Sequence, residues 1–193
     1  MSLRSASAQP HQAKSVERAG SPSEAYLVNG GHQNGRSSGA TRTWISRLSL
    51  HRFRNLRQAQ LSPDPGPVIL LGENGAGKTN LLEAISLLTP GRGLRRARLS
   101  DLEMHSADND PPEGRGWAVA ARVESPWGSH DLGTGRDPEA LSGRERRLVR
   151  VDGETAASQG ALGEVLAAVW VTPEMDGLFR EGAGERRRFL DRL

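Results

Sequence analysis

The chain has no cysteine. That excludes a disulfide framework and any thiolate metal site, and it is compatible with a reducing compartment. Lysine is almost as scarce: Lys14 and Lys78 are the only two among 26 basic side chains. Aromatic residues make up 4% of the sequence, and no apolar run is long enough to span a bilayer. The hydrophobic fraction of 35% is low for a wholly globular chain. A length of 193 residues suits one sizeable domain or part of a larger one.

The formal net charge is only +3, yet the isoelectric point is about 10.1. The two agree because nearly all basic residues are arginine, with one Tyr and no Cys, so little titrates between neutrality and very high pH. The high value is therefore weak evidence for nucleic-acid binding. Local clusters must carry that argument.

The sequence is organised around Gly72-Glu73-Asn74-Gly75-Ala76-Gly77-Lys78-Thr79. This fits G-x-x-x-x-G-K-[ST], the P-loop. Val68-Ile69-Leu70-Leu71 leads in as a strand, and Asn80-Leu81-Leu82-Glu83-Ala84-Ile85 leads out as a helix. The glycines allow a tight turn and close approach to a ligand. The amides from Asn74 to Thr79 form an anion nest at a helix N-terminus. Lys78 is expected to reach the β- and γ-phosphates of ATP, and the Thr79 hydroxyl to hold Mg²⁺. A chance Gly-rich turn is the bland alternative; the flanking strand and helix argue against it.

Residues 1–42 are rich in Ser, Gly, Gln, His and Ala, with one apolar cluster at Ala25-Tyr26-Leu27-Val28. They are expected to be a disordered extension, since they bury too little to offset their ordering entropy. They lack the apolar core of a secretory signal. Structure is expected from residue 43. Trp44 to Phe53 alternates as a half-buried strand, Arg54-Asn55 ends it, and Leu56 to Leu61 reads as a second. Ser62 to Pro67 is a turn. After the P-loop a helix is expected over Lys78–Leu88, burying Leu81, Leu82, Ile85 and Leu88, with Pro90-Gly91 as its stop.

Arg92 to Arg98 holds four arginines in seven residues. A solvated loop is the default reading, and a phosphate-contacting patch, near the nucleotide or on DNA, is the sharper one. The middle of the chain reads as an antiparallel meander with basic residues on its exposed face. Its strands are Trp117 to Val123, Ser129 to Thr134 and Glu145 to Val151, the last entering a tight turn at Asp152-Gly153. Trp117 and Trp127 are read as packing residues rather than base-stacking platforms. Gly160 to Leu166 is a short helix, Val165 to Val171 contains a buried strand, and Glu185 to Leu193 is a helix. Glu174 is not taken as a catalytic base, because the Asp that a Walker B strand needs for Mg²⁺ is replaced by Thr172-Pro173. No catalytic residue is assigned.

Four blocks together resemble the N-terminal half of the RecF family, ABC-type ATPases related to SMC heads. They are Leu48 to Leu56 (L-S-L-H-R-F-R-N-L), Gly72 to Ala84, Arg92-Gly93-Leu94-Arg95, and Thr172-Pro173-Glu174-Met175 with Glu185 to Asp191. The P-loop is widely shared, whereas T-P-E followed by E-R-R-R-F-L-D is much more particular. The resemblance implies an α/β P-loop NTPase fold, lobe I of an ABC-type head: a mixed sheet around the P-loop helix plus an antiparallel meander. It makes residues 43–193 the N-terminal part of an incomplete ATPase domain. It implies ATP and Mg²⁺ at Gly72, Glu73, Asn74, Gly75, Ala76, Gly77, Lys78 and Thr79, with Arg54 and Asn55 near the nucleotide.

The same resemblance implies binding of single-stranded and gapped duplex DNA, ATP-dependent dimerisation, action with RecR and RecO in RecA loading and the SOS response, and a cytoplasmic location without membrane association. The family is a weak ATPase. The sequence departs from it in having no signature motif and no Walker B acidic pair, so the chain is read as truncated. An inactive remnant and the N-terminal part of another P-loop ATPase are the alternatives. A transport ATPase would bear a glutamine loop, and Gln159, in a turn context, is the only candidate.

Overall fold

The computed structural model describes the backbone of residues 14–15 and 26–29, and residues 42–104, 116–137, 145–173, 183–184 and 187. The strands are β1 (Lys14–Ser15), β2 (Tyr26–Asn29), β3 (Trp44–Phe53), β4 (Leu56–Leu61), β5 (Val68–Leu71), β6 (Ala118–Ser125), β7 (Gly128–Arg136), β8 (Arg147–Val151) and β9 (Glu154–Thr155). The helices are α1 (Lys78–Ser86) and α2 (Gly160–Val165).

Six strands form one antiparallel sheet in the order β4-β3-β6-β7-β8-β9. Alternation dictates its faces. Leu48 and Leu50 of β3, Val119, Ala121 and Val123 of β6, and Leu132 of β7 point inward, while Arg47, His51, Arg122 and Asp131 point out. Arg52 takes a left-handed backbone (φ 49°), which switches the faces so that Phe53 and its cross-strand partner Leu56 both enter the core. The β8–β9 turn is at Asp152-Gly153, whose φ values of 52° and 86° are those of a primed hairpin turn.

Helix α1 packs on the inner face of this sheet. Leu81, Ala84, Leu87 and Leu88 join Phe53, Leu56, Leu102, Trp117, Val149 and Leu162 in one core. Trp117 is buried edge-on to Phe53, with centroids 5.5 Å apart, and its indole N–H donates to Leu99 O at 2.8 Å. The packing role expected for Trp117 is what the structure shows. Trp127 is different: it sits at the β6–β7 turn and is 87% exposed. Leu82, expected in the buried face of α1, is 52% exposed, and the acidic Glu83 is buried instead. Periodicity locates a helix; it does not say which side of it the rest of the chain will cover.

β5 lies apart from the large sheet and pairs antiparallel with β2, which pairs with β1. The expectation of disorder over residues 1–42 is therefore corrected at these two short stretches. The apolar Tyr26-Leu27-Val28 gives β5 a backbone partner, in the register Tyr26↔Leu71 to Asn29↔Val68. The rest of that extension lies outside the described residues. Every ladder among the described residues is antiparallel.

The buried strand expected over Val165 to Val171 is also corrected. Residues 166–172 have no ladder, and Val169 and Val171 are 53% and 69% exposed. An apolar run becomes a strand only where a neighbour accepts its backbone bonds, and no described strand does so. Glu174 and, apart from residue 187, the helix expected over Glu185–Leu193 lie outside the described residues.

Candidate nucleotide site and its relatives

The site begins where β5 ends. Ala76 N–H donates to Glu73 O at 3.2 Å, closing a turn, and Leu81 N–H donates to Gly77 O at 2.9 Å as α1 starts. Gly77 is the N-cap of α1, in a left-handed conformation with φ 94° and ψ 8°. A Cβ there would lie 3.1 Å from Leu56 Cδ2 and 3.2 Å from Asn55 Oδ1, so both the backbone conformation and the close packing favour glycine. Gly75 also has positive φ, 84°, but its absent Cβ would face open space. The loop is thus pressed against the β3–β4 hairpin on one side and open on the other.

Among the described residues no side chain caps the first turn of α1, and no acidic residue lies in that turn. Its N–H groups, with the helix dipole, remain available to an anion. Lys78 Nζ donates to Gly72 O at 2.7 Å and Glu73 O at 2.8 Å, which folds the ammonium over the loop. Thr79 is exposed beside it. The open cradle at Gly75, the uncapped first turn and Lys78 fit a polyphosphate. A single hydroxyl, Thr79 Oγ1, fits Mg²⁺ that takes its remaining ligands from phosphate and water. Among the described residues no cluster of three or more His, Asp or Glu could hold a metal alone.

Beneath the loop lies a polar network. Asn55 Nδ2 donates to Gly75 O at 3.0 Å, and Asn80 Nδ2 donates to Asn55 Oδ1 at 2.8 Å. Arg54, also from the hairpin, turns away from the loop. It holds the buried Glu83 carboxylate through Nε and Nη2, at 2.9 and 2.8 Å, and donates to Asp101 O at 2.8 Å. Arg95 completes the set, donating from Nη1 to Asn80 Oδ1 at 2.9 Å and Glu83 Oε2 at 3.0 Å. So Asn55 touches the P-loop directly, whereas Arg54 braces the helix that follows it. Asn80 and Glu83 escape a reading of the sequence alone, whereas Arg95 belongs to the Arg92–Arg98 cluster that the sequence singles out. Asn80 and Glu83 share a helix face at i, i+3, but nothing local marks that face as buried against arginines.

The far end of α1 is fixed by one more arginine. Arg147 of β8 donates to the carbonyls of Leu87 and Thr89, to Gly91 O at 2.6 Å, to Gln159 Oε1 at 3.0 Å and to Thr134 Oγ1 at 2.7 Å. Burial pushes its guanidinium down to about 10, so it stays charged at neutral pH. A cation there complements the C-terminal end of the helix dipole. Gln159, weighed from sequence as a transport-type glutamine, also accepts from Gly91 N–H at 3.2 Å and serves this junction.

This architecture has known relatives. An AAA-domain family matches residues 47–121. The DNA replication and repair protein RecF of Mesorhizobium japonicum is 49% identical over 151 residues, covering 78% of this chain and 38% of that protein. RecF of a Caulobacter species is 48% identical over 159 residues, covering 79% of the chain and 39% of that protein. Over the matched residues the chain is similar to RecF proteins. The chain spans less than two fifths of the length of these curated RecF relatives, at 38% and 39%.

Solved structures agree on the fold. The recombination mediator RecF–ATPrS of the RecFOR pathway superposes with a TM-score of 0.59 at 24% identity, over 77% of this chain and 37% of that RecF. A structure from work on ATP-driven dimerisation of SMC ATPases reaches 0.60 at 20% identity, over 77% of this chain and 98% of its own length. The α/β fold of a RecF- or SMC-type ATPase head, with its antiparallel sheet, is thus shown for the part present.

Proposed function

We propose that the chain is the nucleotide-binding part of a RecF-type, ATP-gated DNA-binding protein of recombinational repair and replication. The observation that carries this reading is the P-loop seated on the β3–β4 hairpin: Gly77 against Leu56 and Asn55, Lys78 over the loop, and an uncapped α1 behind it. Identity of 49% to a DNA replication and repair RecF supports the same assignment.

ATP binds at residues 72–79. Lys78 engages its β- and γ-phosphates, Thr79 supplies a hydroxyl to Mg²⁺, and Asn55 steadies the loop from below. Bound Mg²⁺ neutralises charge on the phosphates. ATP acts chiefly as a switch for dimerisation. The DNA is single-stranded or gapped duplex, the partners are RecR and RecO, and the outcome is RecA loading and the SOS response in the cytoplasm.

The test is fluorescence anisotropy of a labelled gapped duplex with the full chain, with and without ATP and Mg²⁺, across a salt series. The reading expects ATP to tighten binding and salt to weaken it steeply. DNA affinity that ignores ATP contradicts it.

A further inference from the structure

At the end of α1 remote from the P-loop, about 13 Å along the helix axis for nine residues, lies an open groove of about 450 Å³. One wall is the loop that follows α1, with Arg92 and Arg96; the other is the extended segment after α2, with Leu166, Val169 and the half-buried Trp170. Pro90 also lines it. Among the described residues no acidic side chain lines the groove. Arg92 and Arg96 are exposed, and among the described residues neither has an ion-pair or hydrogen-bond partner.

The arginine loop is fixed rather than floppy. Gly91 is tied at both its N–H and its carbonyl, to Gln159 and Arg147. Gly93 lies so close to α1 that a Cβ would meet Leu87 Cδ2 at 2.8 Å. Leu94 N–H donates to Ser86 Oγ at 2.7 Å, and Arg95 is held by Asn80 and Glu83. The loop therefore presents Arg92 and Arg96 while Arg95 points back to the network beneath the nucleotide site.

We propose that this groove holds an unpaired stretch of DNA, one base stacked on Trp170 and the flanking phosphates paired with Arg92 and Arg96. This rests on the reading that the chain binds DNA, and adds where and in which form. An aromatic floor with guanidinium rims is the arrangement that binds single strands without sequence preference. A duplex, whose bases are already stacked, gains nothing from Trp170. Arg95 links the groove to the floor of the P-loop.

The experiment uses the full chain and a fluorescein-labelled fifteen-residue oligothymidylate, read by anisotropy over a salt series. The variants are the double substitution Arg92→Gln/Arg96→Gln, Trp170→Leu and Trp170→Phe. The double variant is expected to lower the slope of log affinity against log salt by about 1.4, roughly 0.7 for each lost phosphate contact. Trp170→Leu is expected to weaken binding about 10-fold, within the range of one lost base stack, and Trp170→Phe to restore it. If Trp170→Leu fails to fold, the surface double variant and Trp170→Phe still decide.

A double variant with wild-type slope and affinity overturns the groove and leaves it to other polypeptide. Equal affinity for duplex and single strand overturns the stacking mode. Wild-type chain that binds no oligothymidylate at any salt overturns both this inference and the DNA-binding reading beneath it.

Discussion

The guanidinium of Arg54 grips the carboxylate of Glu83 through two bonds of 2.9 and 2.8 Å, and the Glu83 side chain keeps only 2% of its surface exposed. One residue comes from the hairpin under the P-loop, the other from the helix that begins at it. The pair locks the two together.

Removing one partner leaves a buried charge. Arg54→Ala is expected to destabilise the fold by about 3 kcal/mol, the low end for a broken buried pair, because Arg95 still holds one Glu83 oxygen. Glu83→Gln is expected to cost less, since it keeps the shape and removes the charge. Urea unfolding monitored by tryptophan fluorescence checks both.

The two loop glycines are expected to behave differently. At Gly75 an added methyl faces open space, so Gly75→Ala meets only the backbone strain of its left-handed φ, about 1 kcal/mol. At Gly77 the same strain is joined by contacts of 3.1 and 3.2 Å with Leu56 and Asn55. Gly77→Ala is expected to be the more destabilising and to abolish nucleotide binding by displacing the loop. Parallel unfolding and ATP titrations of the two variants compare them directly.

Stability is expected to fall on acidification for a traceable reason. The side chain of Ser100 and the amides of Leu99 and Ser100 hold Glu145 below the usual carboxylate range. His130 holds Asp152 low, and Arg122 holds Asp131 low. Each folded-state value is depressed, so the unfolded chain binds more protons near pH 4, and the stability these groups add above that pH is lost as pH falls through their folded values. All three are near the surface, so each effect is small. Glu145→Gln is expected to flatten part of the dependence between pH 5 and 3 in thermal unfolding, a window set by the ordinary carboxylate values of about 4.

Much of the site was legible in the sequence because its residues are adjacent. The P-loop, the strand before it and the helix after it occupy residues 68–86 without interruption. The Asp152-Gly153 turn was legible because only a few residue types take its backbone. What stayed hidden depends on contacts between distant residues. Glu83 and Leu82 exchange their expected burial because Arg54 and Arg95 reach the Glu83 side of α1. Arg147, one of a run of arginines, is drawn inside because it faces the end of α1. Trp127, expected to pack, lies in a turn and is exposed.

The most direct measurement is calorimetric titration of ATP with Mg²⁺ into the full chain and into Lys78→Ala. Lys78 is half-buried and, among the described residues, bonded to loop carbonyls, so the substitution is expected to leave the core intact. The account predicts that the wild-type chain binds and that Lys78→Ala loses at least about 100-fold in affinity, the scale of a charge-assisted contact to phosphate. Equal affinity in the two proteins would contradict the P-loop as the nucleotide site, and with it the central claim.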